Sequence, residues 1–247
     1  FNQFVKDKKE FFKMVDQLED PGDILQPLRS LVELQLEFGT KINFERCVEI
    51  AFSTFCGQFR HRILDLVHTY PENHVAKSGK KFWSGHKRFP QVAEFSLTNE
   101  TACQYLFASA NLYAFALNVK GVERKNFKEF KEILERCNLK VPDYQPNKVE
   151  VEDDDADEKS SSDDTGGAAD VTRTFLSDAP TDKLQEVEVT KFEKDDDENF
   201  HIDYMTHAAN LRAFNYNIAA STRQTVRVTA GKILPALVTT TAMITGL

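Results

Sequence analysis

Apolar residues recur every three or four positions over most of the chain, which predicts a protein built mainly from helices. In the first segment, Phe4, Phe11, Phe12, Val15 and Leu18 share one helical face, with Lys, Asp and Glu between them. Asp20-Pro21-Gly22-Asp23 interrupts that pattern, and Asp23 is a suitable cap for a second helix. That helix carries Ile24, Leu28, Leu31, Val32 and Leu36, places Pro27 in its first turn and closes at Gly39. Asn43 caps the longest stretch, Phe44 to about Thr69. Its apolar positions, from Cys47 and Val48 through Phe52, Phe55 and Phe59 to Ile63, Leu66 and Val67, form a stripe broad enough to pack on more than one side.

Periodicity fades between Tyr70 and Ser96, where Pro71, Gly79, Gly85 and Pro90 stand among Phe82, Trp83, Phe89 and Phe95. So many aromatic residues predict an ordered irregular loop, since disordered segments hold few. Asn99 caps a helix over Glu100 to Leu117, and a shorter one, Asn126 to Cys137, presents Phe127, Phe130, Ile133 and Leu134 on one face. From Gln145 to about Asp182 large apolar residues almost vanish, and a disordered insertion is expected. Val187, Val189 and Lys191 then alternate with Glu188, Thr190 and Phe192 as in a short strand. Helices are expected over His201 to Tyr216 and beyond Pro235. The resulting division is a helical domain over 1–144, an acidic disordered linker over 145–183 and a final segment over 184–247.

Charge sharpens this picture. The net −8 of the chain resides almost wholly between Glu150 and Asp164, where nine acidic residues accompany one lysine. The remainder is near neutral, which argues against nucleic acid as a partner. No run of 18 apolar residues is present, so a membrane span is not expected. The chain begins at Phe1 without methionine and ends inside an apolar run, as expected of a piece of a longer protein.

Few residues offer chemistry. Cys47, Cys56, Cys103 and Cys137 all fall inside helical stretches, with no C-x-x-C pair, so they are expected to be inert structural thiols. His61 and His68 share a helix face but lack a third ligand. Asp195, Asp197, Asn199 and His201 have the oxygen-rich look of a calcium loop, yet Phe200 stands where the turn needs glycine. Helix capping is the simpler expectation there. Lys77, Lys80, Lys81, Lys87 and Arg88 surround Trp83 as a basic patch without the spacing of a phosphate loop, and no ATP-binding pattern is found. No catalytic, cofactor-binding or metal-binding residue is assigned.

Three stretches together resemble the ubiquitin-activating enzymes. Lys81 to Pro90 contains F-W-S-G-H-K-R-F-P, similar to the family's F-W-S-G-x-K-R-x-P loop. Ala108 to Ala114, A-S-A-N-L-Y-A, is similar to its A-A-A-N-L-x-A helix. Phe192 to Leu247 follows the family pattern through F-E-K-D-D-D-E-N-F-H-I-D-Y, N-L-R-A-F-N-Y-N-I and A-G-K-I-L-P-A-L-V-T-T-T-A-M-I-T-G-L. The activating enzymes for SUMO and NEDD8 share an A-G-K-I-I-P-A core similar to the A-G-K-I-L-P-A of this chain but lack the F-W-S-G-x-K-R loop.

The resemblance implies a mainly α fold: the helical second half of a catalytic-cysteine domain, followed by a strand and helix returning to an α/β adenylation domain. It implies an enzyme that adenylates ubiquitin with Mg-ATP, holds it as a cysteine thioester and passes it to ubiquitin-conjugating enzymes, in cytoplasm and nucleus. The family's reactive cysteine lies in a Cys-Thr segment, and no Cys-Thr dipeptide occurs here. The fragment is thus expected to hold no cofactor, to be inactive alone and to depend on the other domains of the same enzyme. The competing reading is a non-catalytic helical interaction module with an acidic arm.

Overall fold

In a computed structural model, residues 1–18, 21–38, 42–76, 79–137, 139–147, 149, 165–189 and 191–231 are described, the side chains of 38 and 165–169 excepted. The helices run in the order α1 (Asn2–Lys6), α2 (Lys8–Val15), α3 (Gly22–Phe38), α4 (Phe44–Phe55), α5 (Arg62–Thr69), α6 (Glu100–Ala116), α7 (Phe127–Arg136), α8 (Thr165–Asp178), α9 (His201–Asn215) and α10 (Arg223–Ala230). A π turn, Cys56–His61, joins α4 to α5, and 3₁₀ turns cover Arg124–Asn126 and Thr181–Lys183. The fold is mainly α; among the described residues the β pairing is an isolated bridge between Val75 and Lys81.

Two hydrophobic cores follow from the amphipathic faces. The larger is made by α4, α6, α7 and α9, with Phe52, Phe55, Phe59, Tyr105, Leu106, Phe107, Phe130 and Leu211 at its centre. Helix α6 is buried on nearly all sides, because its alanines let α4 and α9 approach opposite flanks. The smaller core joins Phe4, Phe11, Val15, Leu25, Leu28 and Val32 to Leu176, Ala179 and Leu184.

Caps fix most helix ends. The Asn43 and Asn99 side chains accept from the amides of Arg46 and Ala102, as their positions in the sequence predict. The first amphipathic stretch instead divides at Asp7, whose extended backbone and carboxylate, accepting from Glu10 N, start α2 afresh. Helix α3 begins at Gly22, ahead of the expected cap, so Pro27 lies in its second turn and has no N–H for the Asp23 carbonyl. Helices α6 and α9 end alike. Asn118 and Asn217 adopt left-handed φ of 58° and 56°. The following amides, of Val119 and Ile218, bond back to Ala114 O and Ala213 O, which closes both carbonyl ends.

Three expectations are corrected. The 145–183 segment is not without structure throughout: Thr165–Asp178 is helical and packs on α3 through Leu176, a buried residue. Its few apolar side chains suffice because α1 to α3 supply the rest of that core. The acidic run itself, 150–164, lies outside the described residues, as does the helix expected beyond Pro235.

The strand expected over 187–192 is not seen at its described residues, 187–189 and 191–192, because among the described residues no other strand lies beside it. Two side-chain amides satisfy this backbone instead. Asn2 and Gln35 each donate through nitrogen and accept through oxygen, bracketing Val187 and Gln185 respectively at 2.8–3.1 Å. Glu188 N donates to Ala116 O at 2.7 Å. Helix α10, finally, was not expected from its β-branched sequence; arginine pairing described below holds it.

Gly121 makes one close approach that forbids a side chain. Asn111, buried on α6, donates to Phe107 O and accepts from Val122 N, both at 2.9 Å. A Cβ at position 121 would overlap the Asn111 amide oxygen. Gly121→Ala is expected to cost about 1–3 kcal/mol in urea unfolding. In an Asn111→Ala background the same change should cost almost nothing.

Candidate functional site: the junction of the aromatic loop with helix α9

The loop after α5 is ordered by its rings. Tyr70 stacks on Phe82 with centroids 4.3 Å apart, and Trp83 lies edge-on to both Phe82 and Phe89. The Trp83 indole donates to Tyr70 O at 2.9 Å, and Lys87 sits 4.9 Å over the Phe82 ring. Gly79 and Gly85 take left-handed φ of 81° and 62°, which the turns need. After Gly85 the next helix starts only at Glu100, and Lys87 is laid on an aromatic face. These residues therefore do not fit a phosphate cradle, which needs a glycine turn opening directly into a helix.

The far end of the loop is fastened to α9. Arg88 donates to Asn217 O at 2.6 Å, and the Gln91 side chain to Phe214 O at 2.8 Å. Gln91 N donates to Asn215 O at 2.7 Å. Asn215 is fully buried, and its amide nitrogen donates to both Phe59 O and Gln91 O, at 3.0 and 2.8 Å. The Phe59 carbonyl is free to accept because it lies in the π turn, where the helical ladder shifts by one residue. Ala93 N also donates to it. Beside it, Gln58 O accepts from Arg212 Nη2 at 2.9 Å, while the guanidinium covers the Phe59 ring. Burial holds the Arg212 pKa below its usual value.

Two of the stretches carrying the resemblance thus meet: the loop and the N-L-R-A-F-N-Y segment of α9 are bonded to each other and to the π turn, while α6 packs along α9 in the same core. Against the outer side of this junction lies a shallow cavity of about 250 Å³ lined by residues including Gln91, Asn99, Asn210, Phe214 and Asn217. Phe214 and Ile218 remain about half exposed at its rim. The π turn and the role of Asn215 were missed in the sequence. Gly57, within the turn, was the available hint.

The cysteines are placed for packing. Burial pushes the Cys47 thiol up to about 12 and that of Cys56 up to about 11. It also raises Cys103, and raises Cys137 with help from Glu45 and Glu49. These shifts run opposite to the lowered pKa that activates a nucleophilic thiol. His61 packs against Tyr144, and burial together with Arg60 lowers its pKa; His68 brings no third ligand to it. Among the described residues no group of three His, Cys, Asp or Glu is arranged to hold a metal.

The acidic run before α9 disperses into separate tasks. Asn199 caps His201 N at 2.9 Å, and Asp195 pairs with Lys194. Asp197, expected to act as a cap, instead joins Arg223 and Arg227 of α10, while Asp203 joins Arg124 and Arg223. His201 Nδ1 accepts from Glu193 N. The network pins α10 to α9, and its arginines offset weak helix propensity.

No helix among the described residues is long and apolar enough to cross a membrane. The family model for "Ubiquitin-activating enzyme, SCCH domain" matches residues 1–227. The chain is 36% identical over 214 residues to ubiquitin-like modifier-activating enzyme 1 of Dictyostelium discoideum, covering 83% of the chain and 20% of that relative. It is 34% identical over 210 residues to ubiquitin-activating enzyme E1 1 of Candida albicans, again covering 83% and 20%. The corresponding Homo sapiens enzyme 1 is 32% identical over 254 residues, covering 100% of the chain and 23% of that protein. The chain therefore spans about one fifth of the length of these curated relatives.

Proposed function

The chain belongs to the family of the ubiquitin-activating enzyme SCCH domain, and from that premise we propose that it is a helical scaffold within a longer ubiquitin-activating enzyme, positioning a reactive cysteine carried elsewhere in that enzyme. The observation that carries this reading is the contrast between thiols and scaffold. All four cysteines are raised by burial, while the motif loop and the motif segment of α9 are bonded to each other and to the π turn as one packed body. Such a body supplies position rather than reacting atoms.

In this role the chain's partners are the other domains of the enzyme, ubiquitin and ubiquitin-conjugating enzymes, in cytoplasm and nucleus. Nucleotide chemistry with Mg-ATP belongs to the adenylation domain, and no step of it runs through residues described above. The half-exposed Phe214 and Ile218 suit a face covered by that neighbouring domain. A free-standing interaction module is the less favoured reading, because the family match runs through almost the whole chain.

A non-reducing gel with ubiquitin and Mg-ATP tests the proposal. The chain alone is expected to give no adduct. Addition of the upstream part of the enzyme, with its adenylation and Cys-Thr segments, should give a thiol-sensitive ubiquitin adduct on that upstream part. A thiol-sensitive adduct on this chain by itself would overturn the reading.

A further inference from the structure

We propose that the acidic run Glu150–Asp164 docks on the basic face of the aromatic loop, as an electrostatic tether within the chain. The loop is predominantly basic. From Tyr70 to Ser96 it contains four lysines and one arginine against two carboxylates, Glu72 and Glu94, in a chain whose net charge is −8, and Glu94 is paired with Arg60. Lys80 and Lys81 are exposed on this face, next to Phe82 and Trp83. Rings flanked by cations suit an acidic segment, whose carboxylates would meet the ammonium groups while its backbone lies along the aromatic surface.

The occupant follows from where the run begins. The segment ahead of it lies along α5 toward the loop: Tyr144 Oη and Asn147 N both donate to the Asp65 carboxylate, at 2.8 and 2.9 Å. One helical turn further on, Val149 N donates to Thr69 Oγ1 at 3.1 Å. Thr69 adjoins Tyr70, whose ring stacks on Phe82 and whose carbonyl holds the Trp83 indole. Val149, the residue ahead of the acidic run, therefore lies at the base of the basic face. Seven of the nine residues from Glu150 to Glu158 are carboxylates, and nine residues reach at most about 30 Å. Tethering at this point gives the run an effective concentration in the millimolar range, ahead of an acidic segment arriving from outside.

Trp83, the single tryptophan, reports directly on the face. Acrylamide quenching of its fluorescence should be compared in the 247-residue chain and in a variant with the carboxylates of Glu150 to Glu158 changed to amides. At about 0.1 M salt the parent should be the better protected. The difference should vanish at about 1 M, where the Debye length falls from about 10 Å to about 3 Å. A peptide spanning 150–164 should restore protection to the amide variant, and should fail to do so when that variant also carries Lys80→Glu and Lys81→Glu.

Equal quenching of parent and amide variant at low salt would overturn the proposal. If the peptide still protected both chains, the face would belong to an acidic partner instead. Peptide protection that survives Lys80→Glu and Lys81→Glu would also overturn it. Matching circular dichroism confirms that the variants compared are folded, and the comparison requires no ubiquitin transfer activity.

Discussion

Phe55→Ala is expected to lower the free energy of unfolding by about 3–5 kcal/mol. Phe55 is fully buried where α4 passes into the π turn, and its ring meets those of Phe52, Phe59, Phe95 and Tyr105 at centroid distances of 5.7–6.4 Å. Truncation removes the transfer free energy of the ring and leaves a cavity among groups that cannot close it. Helix α4 is held against α6 on one side, and the π turn is bonded to α9 on the other. A domain typically has only about 5–15 kcal/mol in total, so a large displacement of the urea midpoint should result. Phe55→Leu, which keeps most of the volume, should cost less than half as much. Similar midpoints for Phe55→Ala and the parent chain would refute the assignment of the core's centre.

The second large effect is expected at Asn215. Asn215→Ala removes the donor that serves Phe59 O and Gln91 O together. Phe59 O keeps Ala93 N, so the loss falls mostly on Gln91. An expected cost of about 1–2 kcal/mol follows from losing the buried amide and its bond to the partly buried Gln91 carbonyl. Asn215→Asp should be worse at neutral pH, since an anionic oxygen would face two carbonyl oxygens without solvent.

The sign of its pH dependence is then fixed. Burial and the facing oxygens raise the new carboxyl's folded pKa above its unfolded value. The penalty is therefore smallest at acid pH, where the group is neutral in both states, and grows as pH rises through the unfolded pKa toward the folded one. Urea unfolding of Asn215→Asp at acid and neutral pH, each referenced to the parent chain at the same pH, measures this. A penalty that shrinks with rising pH would contradict the geometry.

Helix faces were legible in the sequence for α4 and α7, where burial follows residue spacing, but not for α6, which is buried almost all round. The caps at Asn43 and Asn99 were legible too, as each is a short polar residue just ahead of an apolar stripe. Breaks within helices were not. Asp7 interrupts a stripe that continues across it, since Phe4, Phe11 and Phe12 still cluster after the break. The π turn shifts register by one residue while Cys56 and Phe59 remain buried, so periodicity around it is only blurred. Both left-handed asparagines had a readable signal: each stands between an apolar or aromatic helix end and a β-branched residue. The fates of Asp197 and of Gln185 and Val187 depended on partners more than twenty and more than a hundred positions away, respectively. No local pattern contains such information. The motif loop, by contrast, was visible as a constellation, but not as something bolted to α9.

The smaller core has a consequence for how the chain acquires its shape. Phe4, Phe11 and Val32 lie near the beginning, yet they pack with Leu176, Ala179 and Leu184. Asn2 bonds to Val187 and Asp16 to Arg173. The larger core draws most of its residues from 44–134 and can condense earlier, around shorter loops. During synthesis at about 5–20 residues per second, α1 to α3 would wait roughly 10–40 s for their partners to appear. Through that interval their apolar faces are open to chaperones or to the same faces of neighbouring nascent chains. The ribosome's pace, more than the equilibrium stability of the finished fold, sets how long this end of the protein stays vulnerable.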